Sequence, residues 1–412
     1  MSRIIAGGET VICGGGIVGL TLARELLMRG HKDIIIIEKE QQLGKHASGR
    51  NSGVLHAGIY YSIGSLRGRT CLAGNFLMKD YCKSKGIPLL ERGKVIVTKN
   101  EAEIEILETL YKRARENGAR VELVDEKRLK QIEPFAKTCK HALYSHYTAV
   151  TDSKKVLKEL YNELIVSSKV KILLGTRLNG IKGNQTLTTN RGLIKFGTLV
   201  NAAGAWSDEL AHIFGIGLNY RLVPFKGIYK KLRPEKSYMV RSNIYPVPDT
   251  RNPFLGVHFT RNVSDEVLIG PTAMPALGAE NYGILGGIDK RAPSILLTNA
   301  ILFLRNPEFK RLSFIEVRKY KTGVFYSNAK KLVKGLEFRD ILPSQKVGIR
   351  PQLIDWNTKQ LVMDFVVLKD GNRHRERQCE LLQVSHGKVD GKTSERVVKV
   401  IDKLLKKKSQ KT

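Results

Sequence analysis

Three glycines in the pattern Gly14-x-Gly16-x-x-Gly19, followed by an acid at Glu38, have the spacing that holds a dinucleotide. Gly14 permits a tight turn, Gly15 and Gly16 let backbone N–H groups approach a pyrophosphate, Gly19 lets a helix pack closely on a strand, and Glu38 can accept hydrogen bonds from ribose hydroxyls. An acid at this place disfavours a 2′-phosphate, so NADP ranks last, while FAD and NAD stay level on this segment alone. The run Ser48-Gly-Arg50-Asn51-Ser52-Gly53-Val-Leu-His56-Ala-Gly-Ile-Tyr60-Tyr61 is rich in Gly and Ser and poor in helix formers. It suits a chain lying against a flat ring system and its ribityl arm, with a surface loop as the plainer alternative. Ala202-Ala203-Gly204, with Trp206 close behind, offers small residues where a chain must pass close to a ligand or simply pack tightly.

The elements that must carry these residues are legible from pattern. Thr10 to Cys13 reads as a strand, the glycines as its turn, and Leu20, Ala23, Leu26 and Leu27 as the apolar stripe of a helix ending near Arg29 and Gly30; Ile34 to Ile37 is the next strand, which makes a βαβ unit. Helices are predicted from Gly64 to Lys85, from Glu101 to Asn117 and from Asp152 to Val166, and strands over Lys94 to Thr98, Val170 to Leu174 and Phe196 to Ala202. From Pro224 to Leu268 aromatic and polar residues alternate as in antiparallel strands. The order, α/β, then α+β, then α/β, then β, predicts a nucleotide-binding domain interrupted by a second domain.

The 412 residues contain 70 Lys and Arg against 39 Asp and Glu, a formal net charge of +31. Residues 371–412 account for only +7 of it, so the surplus is dispersed, which fits steering of anions or attraction to a membrane surface better than a nucleic-acid groove. No zinc-finger or RNA-binding signature accompanies it, and no specific nucleic-acid partner is expected. No apolar run reaches the roughly 18 residues of a membrane span. The N-terminus lacks the pattern of a signal peptide, giving the expectation of a cytoplasmic protein in peripheral contact, at most, with the cytoplasmic face of an anionic membrane. Cys13, Cys71, Cys82, Cys139 and Cys379 are scattered and odd in number, so free thiols are expected, with neither disulfide framework nor metal site. No feature of the sequence specifies an oligomeric state.

Gly14 to Gly19 with Glu38, the run from Ser48 to Tyr61, and Val200-Asn-Ala-Ala-Gly-Ala-Trp-Ser207 together resemble the D-amino-acid-oxidase-like family of FAD-dependent oxidoreductases. Tyr245-Pro-Val-Pro-Asp249, Pro253 to Arg261, Ile269-Gly-Pro-Thr272 and Gly348-Ile-Arg350-Pro-Gln-Leu353 are similar to the branch of that family acting on L-2-hydroxyglutarate. The likeness covers about the first 370 residues. It implies a Rossmann-like FAD-binding domain from 1–80, 140–222 and 340–412, interleaved with an antiparallel-sheet substrate domain from 81–139 and 223–339. It also implies oxidation of a 2-hydroxy acid to the 2-oxo acid, hydride passing from the substrate Cα–H to the flavin, and electrons leaving to oxygen or a quinone chain. Ser48, Arg50, Asn51, Ser52, Gly53, Ala203, Gly204 and Trp206 would join the glycines and Glu38 at the cofactor. By the same resemblance Arg350 would grip a substrate carboxylate.

His56 and His258 are the candidate bases, imidazole having an unperturbed pKa of about 6.5. Tyr60, Tyr61, Tyr245 and Lys226 could complete a dicarboxylate site through hydroxyl or ammonium donors. The resemblance lapses after Asp370: Arg373, Arg375 and Arg377 precede a stretch with Gly387 and Gly391 that lacks the family's small-residue turn opening its last helix. Gly387-x-x-x-Gly391-Lys392-Thr393 is one residue short of a phosphate-binding loop. Two other readings fit the same residues, oxidation of an amino acid or amine, and a non-catalytic flavoprotein that has lost its reaction.

Overall fold

The structure, a computed structural model, describes residues 3–249, 255–370 and 379–382. The C-terminal stretch with Arg373, Arg375, Arg377, Gly387 and Gly391, and Pro253 of the family-like segment, lie outside the described residues. Among the described residues the helices are α1 Ile17–Met28, α2 Leu66–Ser84, α3 Ile104–Glu116, α4 Glu126–Ile132, α5 Ser153–Ile165, α6 Ser207–Ile213, α7 Ala292–Arg305, α8 Pro307–Arg318 and α9 Thr322–Lys330. The chain divides into two compact units, the first from 1–49, 153–222 and 351–412, the second from 50–152 and 223–350.

In the first unit six strands form a sheet in the order Leu178–Lys182, Thr186–Thr189, Gly192–Asn201, Ile4–Cys13, Ile34–Ile37, Val170–Leu173. The last four are parallel and the first two form an antiparallel flank. A strand between parallel neighbours is covered on both faces, and accordingly all four isoleucines Ile34 to Ile37 are buried. The expected helical stripe of α1 is buried through Leu20, Ala23 and Leu26, and α1 meets α5, where Arg24 Nε contacts Glu163 Oε2 at 2.6 Å. Gly30, at φ +87, follows the C-cap Arg29 and turns the chain toward the next strand.

The second unit is built on a long sheet. From Ile341–Asp355 it runs through Tyr220–Leu232, Val267–Gly270, His258–Arg261, Asn243–Pro246, Lys94–Val97 and His141–Ser145 to Val121–Asp125. It is mostly antiparallel, as the alternating pattern predicts, but Asn243–Pro246 pairs in parallel with Lys94–Val97. Its core joins Val95, Val97, Ile244, Phe259, Val267 and Ile269 to Phe325 and Leu332 from the helical segment.

Two expectations are corrected. The segments 50–80 and 140–152, expected with the nucleotide-binding part, belong to the second unit, and its last boundary falls at 350 instead of 339. The reason is pairing: Val54–Leu55 is a strand beside Ala149–Thr151, and Asn75 Nδ2 on α2 donates to the carbonyls of Leu55, His56 and Tyr147 at 2.9, 3.3 and 3.0 Å. The region 223–339, read as sheet alone, also contains α7, α8 and α9. In α7 the apolar residues occupy both faces, which blurs the helical period that would have marked it.

Candidate active site: a glycine cradle and a buried cation–aromatic cluster

In the first unit Cys13 ends the central strand, and Gly14 N–H donates to Ile37 O at 2.8 Å. Gly14 takes φ +119, and a Cβ there would stand 2.3 Å from Ala202 O; a Cβ on Gly19 would stand 2.0 Å from Gly14 O. These two positions admit only glycine, because the turn folds directly onto the Ala202–Ala203 backbone and onto the start of α1. Gly16 is the N-cap of α1 and brings no capping side chain; Ser48 Oγ instead accepts the Ile17 N–H at 3.0 Å, and a Cβ on Gly16 would stand 3.0 Å from that hydroxyl. The positive pole of a 12-residue helix is thereby presented behind bare backbone, the arrangement that suits a pyrophosphate.

Glu38 closes the cradle. Its Oε2 accepts the Gly15 N–H and its Oε1 the Glu40 N–H, each at 2.9 Å, and a carboxylate has lone pairs left for ribose hydroxyls. Burial, with the Glu38 charge nearby, pushes the Cys13 thiol up to about 12, so it stays protonated beneath the cradle. Asn201 shapes the second approach: its Oδ1 accepts the Ala203 N–H at 3.2 Å and its Nδ2 donates to Ser207 O at 2.7 Å. Gly204 follows at φ +58, and the Lys39 ammonium lies 5.8 Å from the Trp206 ring.

The second unit gathers most of the remaining candidates. Tyr245 and His258, on paired regions of the sheet, stack with ring centroids 3.8 Å apart, and His56 stands edge-on to Tyr245 at 6.2 Å and to Tyr60 at 6.5 Å. The His56 carbonyl is fixed by Asn75 Nδ2 and by the Cys71 thiol at 3.4 Å, and Asn117 Nδ2 holds the Gly58 and Tyr61 carbonyls at 3.2 and 3.0 Å. Burial drives His258 down to about 3, with the Lys94 charge in the same direction; its Nδ1 meets Gly256 O at 2.9 Å, which favours an N–H there and leaves Nε2 as the base nitrogen. Burial likewise raises the Tyr60 and Tyr245 hydroxyls well above the usual phenol value, so both remain donors. Arg350, in the strand Ile341–Asp355, is pushed down to about 10 by burial and by the Arg67 guanidinium, with Tyr61 acting in the opposite direction.

Other candidates are engaged differently. Lys226 donates to Asn281 Oδ1 at 3.0 Å and to Gly283 O at 2.7 Å, which ties it to a neighbouring loop and uses two of its three N–H donors. Arg50 lies 3.9 Å over the Tyr282 ring, Asn51 Oδ1 accepts the Gly53 N–H at 2.8 Å, and Ser52 hydrogen-bonds Tyr229. Gly53, at φ +77, would meet Thr151 O at 2.1 Å with a Cβ. These four belong to the second unit.

Two cations were not singled out from sequence. Lys94 is fully buried, its ammonium 4.4 Å from the Tyr60 ring and 5.0 Å from the Tyr245 ring; the available signal was a lysine opening an otherwise apolar strand, Lys94–Val97. Arg67, in the first turn of α2, sits at the helix end where a positive charge is disfavoured, and it acts electrostatically on Arg350.

A glycine turn at a helix N-terminus, closed by an acid and a second small-residue approach, defines a dinucleotide-binding fold. The chain belongs to the FAD dependent oxidoreductase (DAO) family, whose pattern matches residues 9–367. FAD is the cofactor of this family, and the cradle fits it. The chain is 35% identical over 373 residues to a Caenorhabditis briggsae protein named L-2-hydroxyglutarate dehydrogenase, mitochondrial, covering 87% of this chain and 84% of that one. It is 31% identical over 383 residues to the L-2-hydroxyglutarate dehydrogenase of Indibacter alkaliphilus, covering 88% and 92%. Among solved structures, the dithionite-reduced, FAD-bound L-α-glycerophosphate oxidase of Mycoplasma pneumoniae matches with a TM-score of 0.68 at 23% identity, covering 88% of this chain and 86% of that one.

Proposed function

We propose that this protein oxidises L-2-hydroxyglutarate to 2-oxoglutarate. The observation that carries the reading lies in the second unit, where the buried Arg350 guanidinium is within electrostatic reach of Tyr61 and where His56, Tyr60, Tyr245 and His258 form one aromatic cluster. The names of relatives 31–36% identical over most of the chain support the same substrate. FAD, held by the glycine cradle and Glu38, would supply the acceptor for the substrate's hydride and the route of electrons to oxygen or a quinone chain.

The chain's own residues do the rest. Arg350 binds the carboxylate beside the reacting carbon with two parallel hydrogen bonds, and Tyr60, Tyr61 and Tyr245 donate to the substrate's oxygens. The hydroxyl proton goes to an imidazole as the C–O bond becomes C=O. We assign that proton to His56, because His258, held near pKa 3, is too weak a base to take it efficiently. His258 supports the Tyr245 ring by stacking. The Arg67 charge adds to the attraction for a dianion.

Gly14, Gly15, Gly16, Gly19, Glu38, Ser48, Ala203, Gly204 and Trp206 are the proposed FAD-holding residues. Among the described residues no helix is long and apolar enough to cross a membrane. In this reading the protein works in the cytoplasm, in peripheral contact with an anionic membrane.

The deciding experiment is the anaerobic visible spectrum of the purified protein. Bleaching of the flavin band by L-2-hydroxyglutarate, and not by the D isomer, is the expected result. A band that bleaches with glycine or proline instead would move the reaction to amines, and a flavin unmoved by any of them would indicate a protein without the reaction.

A further inference from the structure

The second unit contains a pocket that the proposed oxidation does not use. Its volume is about 370 Å³, and Arg92, Arg128, Ile132, Tyr144, Arg241 and Ser242 line it. It lies across the long sheet from the aromatic cluster: Tyr144 and Ile132 pack against the core of Val95, Val97 and Ile244, whereas Tyr60 and Tyr245 pack with Ile96. Strand alternation makes the separation, since Val95 and Ile96 are consecutive, as are Ile244 and Tyr245, and so point to opposite faces.

Three arginines reach the pocket from three elements, Arg92 from just before Lys94–Val97, Arg128 from α4, and Arg241 from just before Asn243–Pro246. One chain of hydrogen bonds ties them together. Arg92 Nη1 donates to Arg241 O at 3.3 Å, Arg241 Nη1 to Gln131 O at 3.2 Å, and Arg128 Nη1 to Gln131 Oε1 at 2.8 Å. The backbone beneath is pinned as well. Gly93 N–H donates to Thr148 O at 3.0 Å and Gly93 O accepts Asn243 Nδ2 at 2.9 Å; at φ +74, a Cβ there would stand 2.6 Å from the Tyr144 ring. Glu133, fully buried, accepts the Arg241 N–H at 2.9 Å and the Ser242 N–H and hydroxyl at 2.5 and 2.6 Å, so its carboxylate is spent on main chain and Ser242.

Donors and charge define what fits. Among the described residues only Arg128 of the three forms an ion pair, with Glu122 at 3.7 Å, and Glu122 is shared with His146 at 3.4 Å. The Arg120 charge acts at Tyr144 in addition. Each guanidinium carries five N–H donors, so anchors that use one apiece leave a pocket rich in donors and net positive. A carboxylate is filled by the fork of a single arginine, whereas three arginines suit a group with three outward oxygens and nearly two charges, a phosphate monoester. Tyr144 and Ile132 offer an apolar wall to the carbon body attached to it.

We propose that this pocket binds a small phosphate monoester with a flat or apolar body. Arg92, Arg128 and Arg241 hold the phosphate, and the body lies against Tyr144 and Ile132. The proposal is independent of the substrate assigned to the oxidation.

Isothermal titration calorimetry of the full-length, FAD-loaded protein with phenyl phosphate is the test. The expected result is one site per chain, binding at least about tenfold tighter than benzoate, which has the same ring on a carboxylate. Phenol, without the charge, should give no heat. Arg92→Gln with Arg241→Gln should weaken phenyl phosphate at least about tenfold while the flavin spectrum and the melting temperature stay at the parental values. Arg92 is exposed, so Arg92→Gln alone leaves the core intact and should already weaken binding severalfold. Arg241→Lys keeps the charge and loses the fork, and its affinity should fall between parent and double variant. Arg350→Ala should bind phenyl phosphate as the parent does. A parent that does not bind it or binds benzoate equally well, or a double variant that binds as the parent does, overturns the proposal. So does loss of binding in Arg350→Ala, which would put the ligand in the hydroxy-acid site.

Discussion

His258 carries its consequence in pH. Its folded value, about 3, lies below the ordinary 6.5, so the unfolded chain binds a proton that the folded chain refuses. The stability it contributes is complete above pH 6.5 and is lost as pH falls toward 3, with a slope of about 1.4 kcal/mol per pH unit from this group alone. Denaturant melts across that range measure it, and His258→Gln should flatten the profile. Lys94→Met removes a charge that opposes protonation, so the His258 titration, followed by NMR, should move upward yet stay below the ordinary value because burial persists. An unmoved titration would mean that the Lys94 charge does not reach the ring. If Arg350 makes the proposed charge-assisted bidentate contact, Arg350→Ala should raise KM for L-2-hydroxyglutarate about tenfold to a hundredfold with flavin content unchanged. An unchanged KM would take Arg350 out of the substrate site.

The turn from the central strand into α1 is where the sequence was most informative, because sterics leave so few choices there. Gly14 and Gly19 face backbone atoms closer than any side chain permits, so their spacing reports geometry directly. At Gly16 a small side chain would press only on the Ser48 hydroxyl, and Gly16→Val should therefore leave a folded but colourless protein. Circular dichroism and the visible spectrum test this together; full flavin occupancy would dissociate the turn from the cofactor. Less was legible where function depends on tertiary partners. Nothing local to Lys226 announces its bonds to Asn281 and Gly283, and nothing local to Lys94 announces the two aromatic rings beside it. The helices α7 and α8 escaped notice because an outward apolar face removes the contrast between core and surface on which periodicity depends.

Across the whole molecule the charge of +31 acts as a field. A dianionic substrate is drawn toward it, so kcat/KM for L-2-hydroxyglutarate should fall as ionic strength rises while kcat stays level, and a flat salt profile in steady-state rates would deny the steering. The two units are discontinuous in sequence, Arg350 being the last residue of the second unit and Pro351 resuming the first. The central strand of the first unit, Ile4–Cys13, has one neighbour, Ile34–Ile37, close behind it in sequence, but the other, Gly192–Asn201, far downstream. At ordinary rates of synthesis the second neighbour follows on the order of ten to forty seconds later. For that interval the newborn chain carries an open parallel edge, and its yield in a cell depends on whatever shields that edge until the ribosome has passed Asn201.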